Sequence, residues 1–307
     1  MKIAIIGTGG VGGYFGGKLA QAGLDVTFVA RGKHLAAMKE QGLSVKSIQG
    51  DFQVDQVKVT DEITSIREPD LIILGVKAWQ VKEIRGPLAQ IIHEKSMVLP
   101  LQNGVLASAE LAETINPQNI LGGLCRIISQ IDAPGVIRHS GVNPSIVLGE
   151  LHEQSSARTQ QLQSLLKRAD IEATLSTNIQ VDLWKKFIFI CTGGLQAIRQ
   201  MTFGALRTQP DTRNLMIDLL QEIYDLSEKI GIGVSASYVA KTIRFIDDMP
   251  EAATFSLARD IWDDRPSEIE YQNGAVVRLG KKHGFPTPVN QLVYDQILNK
   301  GPFKAPS

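Results

Sequence analysis

The sequence predicts an α/β protein in two domains: a parallel sheet with its helices over residues 1–176, then an all-α domain over residues 177–307. Three observations carry that expectation. The chain has 307 residues, against about 100 to 200 for a typical domain, so one core is a poor fit. Short β-branched runs alternate with helical stretches from the first residues onward, the pattern of βαβ units. From Thr177 on, only helical periodicity remains.

Taken in order, residues 2–6 read as a strand, 11–22 as a helix, 26–30 as a second strand and 34–41 as a second helix. Further strands are expected at 71–76, 97–101 and 120–128, with helices at 81–93 and 107–115. Residues 42–59 and 131–148 read as hairpin inserts, because Gln49-Gly50-Asp51 and Ala133-Pro134-Gly135 supply turn chemistry between alternating residues. They are expected to add antiparallel strands to the sheet. A helix at 155–169 and a strand at 172–175 complete the first domain. Thr177 to Gln180 fits a capping box for the next helix. Met216, Leu219, Leu220, Ile223, Leu226 and Ile230 recur at helical spacing before Gly231 ends the turn. The chain closes on a polar tail, residues 300–307.

Composition excludes several classes. With 43% hydrophobic and 21% charged residues the chain is neither disordered nor fibrous. Lys plus Arg (32) balances Asp plus Glu (32), so no overall field favours nucleic acid or anionic lipid. The longest apolar runs fall far short of the roughly 18 residues of a membrane helix. The opening residues read as a strand, not an export signal, because glycines interrupt them at once. Cys125 and Cys191 are too few for a disulfide framework, and a cytoplasmic location is expected. His34, His93, His139, His152 and His283 show no metal-ligand spacing, so no metal is expected.

Gly7-Thr8-Gly9-Gly10-Val11-Gly12 follows a strand and opens a helix. In that context a GxGxxG marks a Rossmann-type dinucleotide site. Gly7 permits the tight turn, Gly9 lets backbone approach a pyrophosphate, and Gly12 lets helix pack on strand. NAD sites usually place an acid at the end of the second strand. Here the stretch is Phe28-Val29-Ala30-Arg31-Gly32-Lys33, without an acid, and Arg31 with Lys33 suits the 2′-phosphate of NADPH. The competing role for both is a solvated loop cation. Lys77-Ala78-Trp79-Gln80 follows the strand 71–76, and Gln102-Asn103-Gly104 follows the strand 97–101. That places Lys77, Gln80 and Asn103 on the ligand-facing edge of the sheet, where they are expected to bind the cofactor.

These motifs, with Val76-Lys77-Ala78-Trp79-Gln80, Trp184-Lys185-Lys186-Phe187 and Ser267-Glu268-Ile269-Glu270-Tyr271-Gln272-Asn273-Gly274, resemble the ketopantoate reductase family (2-dehydropantoate 2-reductases) from residue 1 to about residue 297. The resemblance implies reduction of a 2-oxo acid by NADPH, in the first instance 2-dehydropantoate to pantoate in pantothenate biosynthesis. The family's general-acid lysine falls on Lys186, its substrate-binding glutamate on Glu268 and its serine on Ser256, with Asn103 positioning the carbonyl.

Read as residues, Lys186 shares a helical face with Leu183, Ile190 and Gly194, surroundings that favour a proton donor working near neutrality. A pair with Asp182 is the alternative. Ser267 and Glu270 form a capping box, which leaves Glu268 without a capping duty, although favourable dipole placement would also explain it. The family's substrate-contacting asparagines would lie four, eight and eighteen residues after the lysine, where this chain has Ile190, Gly194 and Gly204. A less polar pocket is expected, suited to a bulkier or less hydroxylated 2-oxo acid. A dinucleotide-binding sensor without turnover is the alternative function. The expected partner is a small-molecule 2-oxo acid, with a homodimer left open.

Overall fold

The computed structural model describes residues 1–152 and 155–299; the polar tail expected at 300–307 lies outside them. The chain divides into two compact units. The first holds Met1–Gln102 and Ala107–Ile179, and the second holds Asn103–Leu106 and the chain from Gln180 on.

In the first unit the order is β1 (Lys2–Ile6), α1 (Gly10–Gln21), β2 (Asp25–Val29), α2 (Gly32–Gln41), β3 (Leu43–Ser47), β4 (Phe52–Val54), β5 (Lys58–Thr60), β6 (Leu71–Leu74), α3 (Val81–Ala89), β7 (Met97–Pro100), α4 (Ala107–Ala112), β8 (Leu121–Ala133), β9 (Val136–Glu150), α5 (Ala157–Arg168) and β10 (Glu172–Leu175). Strands β5-β2-β1-β6-β7 form a parallel sheet. Ile6 pairs with Val29 and with Leu74, and Leu74 with Pro100. These four strands therefore end level, and the loops after Ile6, Val29, Leu74 and Pro100 leave one edge together. Alternation along β1 decides which side each residue faces. Ile3 and Ile5 join the core shared with α1, whereas Ala4 and Ile6 join Ile72, Leu74 and Val98 on the opposite face.

The hairpin segments depart from expectation. They do not extend the parallel sheet but build a second one, in which β3 and β10 line one side of β9, β4 pairs with the far edge of β3, and β8 pairs along the other side of β9. Only β5, from the end of the first insert, joins the parallel sheet. The physical reason lies in α1, which packs between both sheets. Its Gly16 faces Phe28 and Ile5 of the parallel sheet; its Gly13 and Gly17 face Ile137 and Phe52 of the second. A helix with side chains at these positions would hold the sheets apart.

The second unit contains α6 (Ile179–Ile190), α7 (Thr192–Arg199), α8 (Phe203–Thr208), α9 (Pro210–Ile230), α10 (Tyr238–Asp247), α11 (Ser256–Trp262), α12 (Asn273–Lys282) and α13 (Pro288–Asn299). On α9 the residues Met216, Leu219, Leu220, Ile223 and Leu226 are fully buried, and Gly231 closes the helix at φ +84°. Glu222, on the same helix, accepts hydrogen bonds from the N–H groups of Val289 (2.6 Å) and Asn290 (3.0 Å), satisfying the start of α13.

Two capping expectations fail. α6 begins at Ile179, one residue later than a Thr177 cap requires. Ser267 Oγ is buried without a partner, and Glu270 pairs with Arg278 and accepts the Tyr294 hydroxyl. The turn there is a short 3₁₀ helix, Ile269–Tyr271, whose cap is Glu268, one residue past Ser267, so Ser267 and Glu270 fall out of capping register.

Because a Cβ on Gly13 would stand 2.6 Å from the Ile137 side chain, Gly13→Ala is expected to lower the unfolding free energy by about 1 to 3 kcal/mol through overpacking. A urea titration measures this.

Candidate active site

At the edge where the parallel strands end, β1 feeds the glycine loop. Gly7 sits at φ +92°, and a Cβ there would lie 2.6 Å from Val76 Cγ1; a Cβ on Gly12 would run into the Gly7 carbonyl. A Cβ on Gly9, by contrast, would meet only Gly75 O at 3.9 Å. Gly9 caps α1 without a side-chain bond, and the first turn carries no acid. The helix start is thus open on the Gly9 side, where an anionic pyrophosphate would meet the positive end of the dipole, while Gly10 lies against the Ser129 backbone. Thr8 is committed elsewhere, since its N–H (3.0 Å) and Oγ–H (2.9 Å) both donate to Val29 O. It ties the loop to β2, while Val11 packs on the core beneath.

Arg31 caps α2 and is exposed, as is Lys33, and neither cation has a hydrogen-bond or ion-pair partner among the described residues. Lys77 holds its ammonium 5.8 Å from the Trp79 ring centroid and donates its N–H to Gln80 Oε1 (3.1 Å). Gln102 donates from Nε2 to Leu74 O (2.9 Å) and Val76 O (3.0 Å). It bolts the chain leaving β7 to the end of β6. Nothing in the local sequence around Gln102 signals this role, since its partners lie 26 and 28 positions earlier.

Asn103 belongs to the helical unit, where its Nδ2 donates to Glu268 Oε2 at 3.1 Å. Gly104, at φ +96°, lets the turn pass close to Tyr271 O. Glu268 is only 6% exposed. The structure therefore brings together Asn103 and Glu268, two residues 165 positions apart in sequence. Ser256 is the first residue of α11, whose cap is Phe255, so its exposed hydroxyl has no capping duty. Lys186 is half-buried on α6 among the buried residues Leu183, Phe187 and Ile190. Asp182 is paired with Lys185 (3.1 Å). Gly194 does not share the Lys186 face, because α6 stops at Ile190 and Gly194 lies in α7.

The three positions expected to carry asparagine are filled differently. Ile190 is buried in the helical unit. At Gly194 the space for a side chain is taken by the Asn273 carboxamide and by Val293 Cγ1, 2.7 Å from an ideal Cβ. At Gly204 it is taken by Glu251, whose Cβ would lie 2.8 Å away. Asn273 donates to Cys191 O (3.1 Å) and Asn290 Oδ1 (3.0 Å), leaving its own Oδ1 buried without a partner. An amide thus reaches the wall at 194 from another helix. Among the described residues no group of His, Cys, Asp and Glu is placed to hold a metal ion, and no helix is long and apolar enough to cross a membrane.

The parallel sheet with its glycine loop defines a Rossmann-type dinucleotide-binding protein, joined here to a helical unit with its own cluster of polar groups. Residues 3–153 match the profile "Ketopantoate reductase PanE/ApbA" and residues 178–300 match "Ketopantoate reductase PanE/ApbA C terminal". The chain belongs to the ketopantoate reductase family of oxidoreductases. It is 29% identical over 302 residues to a 2-dehydropantoate 2-reductase of Nostoc sp., covering 96% of this chain and 94% of that one. An uncharacterized oxidoreductase, YkpB of Bacillus subtilis, is 28% identical over 301 residues, covering 97% of this chain and 98% of that one. Among solved structures, a 2-dehydropantoate 2-reductase from Geobacter metallireducens superposes with a TM-score of 0.90 at 26% identity, covering 98% of this chain and 100% of that one. D-mandelate dehydrogenase bound to NADH and anilino(oxo)acetate gives 0.88 at 25%, covering 98% of each chain.

Gly194→Asn, which would place an amide where Asn273 already lies, is expected to cost about 1 to 3 kcal/mol of stability. Thermal and urea unfolding of the variant check this.

Proposed function

We propose that the protein is an NADPH-dependent reductase of 2-oxo acids, with 2-dehydropantoate, reduced to pantoate, as the first substrate to consider. In this reading residues 1–176 bind the dinucleotide, and residues 177–307, joined by Asn103, supply the substrate and catalytic groups. One observation carries it. The helical unit of a Rossmann-type oxidoreductase holds a lysine on α6, a serine hydroxyl with no hydrogen bond among the described residues and the part-buried Asn103–Glu268 pair, a complement suited to a small oxo acid.

The glycine loop fits the pyrophosphate through its open N–H end, and Arg31 with Lys33 fits a 2′-phosphate. NADPH supplies a hydride to the C2 carbonyl when bound. Lys186 donates a proton to the C2 oxygen as negative charge develops there, so that oxo acid, hydride and proton give the 2-hydroxy acid. Asn103 spends one amide hydrogen on Glu268 and has a second for the carbonyl oxygen. A carboxylate repels the acid group of the substrate, so Glu268 serves a substrate hydroxyl, and the Ser256 hydroxyl serves the carboxylate. The buried thiols Cys125 and Cys191 suit a reducing cytoplasm.

A second reading, an aryl 2-oxo acid, is favoured by the aromatic cluster around Phe189. Its ring lies 4.8 Å from Phe255, 5.3 Å from Phe245 and 6.2 Å from Phe203 between centroids, and it follows Lys186 by one helical turn. The relative that binds anilino(oxo)acetate is in keeping with this reading. Rates of NADPH oxidation with 2-dehydropantoate, phenylglyoxylate and smaller 2-oxo acids discriminate. Tight NADPH binding with no turnover on any of them would instead make the protein a sensor.

Arg31→Ala is expected to weaken NADPH by about 1.5 to 3 kcal/mol while leaving NADH nearly unchanged, read by fluorescence titration of both cofactors. Equal losses would remove Arg31 from the 2′-phosphate. Lys186→Ala is expected to lower turnover by about 10² to 10⁴, with little change in NADPH affinity. Lys185→Ala, which breaks a half-exposed ion pair, should cost about 0 to 1 kcal/mol of stability and little rate. Steady-state kinetics on the pair shows which lysine is the acid.

A further inference from the structure

We propose that Gln196 is a positioning residue for substrate binding, acting through the segment that carries Ser256. This rests on the assignment of Ser256 to the substrate in the reading above. Gln196 is fully buried in α7, the one side chain that is neither apolar nor small between Cys191 and Ile198. Both ends of its carboxamide are spent on the backbone of one segment. Nε2 donates to Ala253 O (3.2 Å), and Oε1 accepts the Phe255 N–H (2.9 Å). Phe255 is the residue immediately before Ser256 and the cap of α11.

Several features make this a seat for the segment. Gly193 offers no side chain, so Phe255 Cβ packs where a Cβ of residue 193 would lie 2.9 Å away. Gly204 donates its N–H to Glu251 O (3.0 Å), and Phe203 its N–H to Ala253 O (3.1 Å). Arg259 donates to Thr254 O (2.7 Å). The wall glycines admit the segment, and the other bonds hold its earlier residues. Gln196 alone among these groups grips the peptide N–H next to Ser256, and so it holds the backbone from which Ser256 projects. Serines at helix starts usually turn back to cap the helix. Here the cap falls one residue earlier, at Phe255, whose N–H is satisfied from below by Gln196, and Ser256 is exposed.

A double-mutant cycle tests the proposal, using the intact enzyme with NADPH and the best 2-oxo acid of the panel. Gln196→Met, close in volume but unable to donate or accept these bonds, is expected to raise KM for the oxo acid about ten-fold or more, with kcat within about two-fold and NADPH affinity unchanged. Ser256→Ala should raise KM by a similar factor. In the Ser256→Ala background, Gln196→Met should then add little, because both changes remove the same contact. Gln196→Asn, which keeps the amide but is shorter by one methylene, should fall between, and it replaces Gln196→Met if that variant does not fold. Hydrogen exchange at the Phe255 amide should quicken in either variant.

Multiplying effects in the cycle, or a fall in kcat and thermal stability with KM unmoved, would show Gln196 to be merely structural and overturn the proposal. If Ser256→Ala leaves KM unchanged, the assignment of Ser256 itself fails, and the proposal fails with it. That result is distinguishable because the Ser256→Ala variant alone reveals it.

Discussion

The carbonyl oxygen of Gly7 occupies the place where residue 12 would carry its Cβ. From that approach follows much of the first unit. β1 can turn sharply into α1 only if the helix lies nearly in contact with the loop that precedes it. The cap of that helix, Gly9, has no side chain to bond the first helical N–H groups. Further along α1, the approach continues on two sides, because Gly16 rests on the parallel sheet and Gly13 and Gly17 rest on the second. Small residues at the helix surface thus set the spacing of two sheets, and the anion cradle is one end of that packing.

The helical unit answers to a different constraint, the need to satisfy polar groups in an apolar interior. Glu222, Asn290 and Asn273 form a chain of hydrogen bonds from α9 through α13 to α12, and the last of them reaches the carbonyl of Cys191 between α6 and α7. The break between α6 and α7 therefore has a partner built into another helix. Each bond is worth about 0.5 to 1.5 kcal/mol net, but an orphaned buried group costs about 1 to 3 kcal/mol, so such a network resists piecemeal change. Asn103 and Glu268 obey the same rule closer to the surface.

Much of this was legible in the sequence because the signals were local. The strand, the glycine loop and the helix after it are contiguous, and so is the heptad-like face of α9. The Asn103–Glu268 bond could not be read that way, since no spacing relates two residues in separate stretches of chain. The hairpins were recognised as hairpins, but their sheet was misjudged: turn residues fix which strands are neighbours and say nothing about which sheet they join. Ser267 and Glu270 matched a capping box in spacing and residue type. A cap at Glu268, one residue later, and the partners Arg278 and Tyr294 prevail over that local preference. Gln196 gave one faint signal, a lone long polar side chain in a helix otherwise apolar or small.

β9 bears on how the molecule comes into being. Its first residues pair with β3, from about ninety positions earlier, and its last with β10, which follows the intervening helix α5, while β8 occupies its other edge throughout. A nascent chain that has made β3 and β4 holds a hairpin with one side open until β9 arrives, and β9 keeps an open stretch until β10 arrives. Such long-range pairing slows acquisition of structure, because chain entropy is lost before the contacts that offset it are made. The first unit is thus complete only when synthesis has passed Leu175, after every second-sheet residue on which the α1 glycines rest, from Leu43 to Ile137, has already been made.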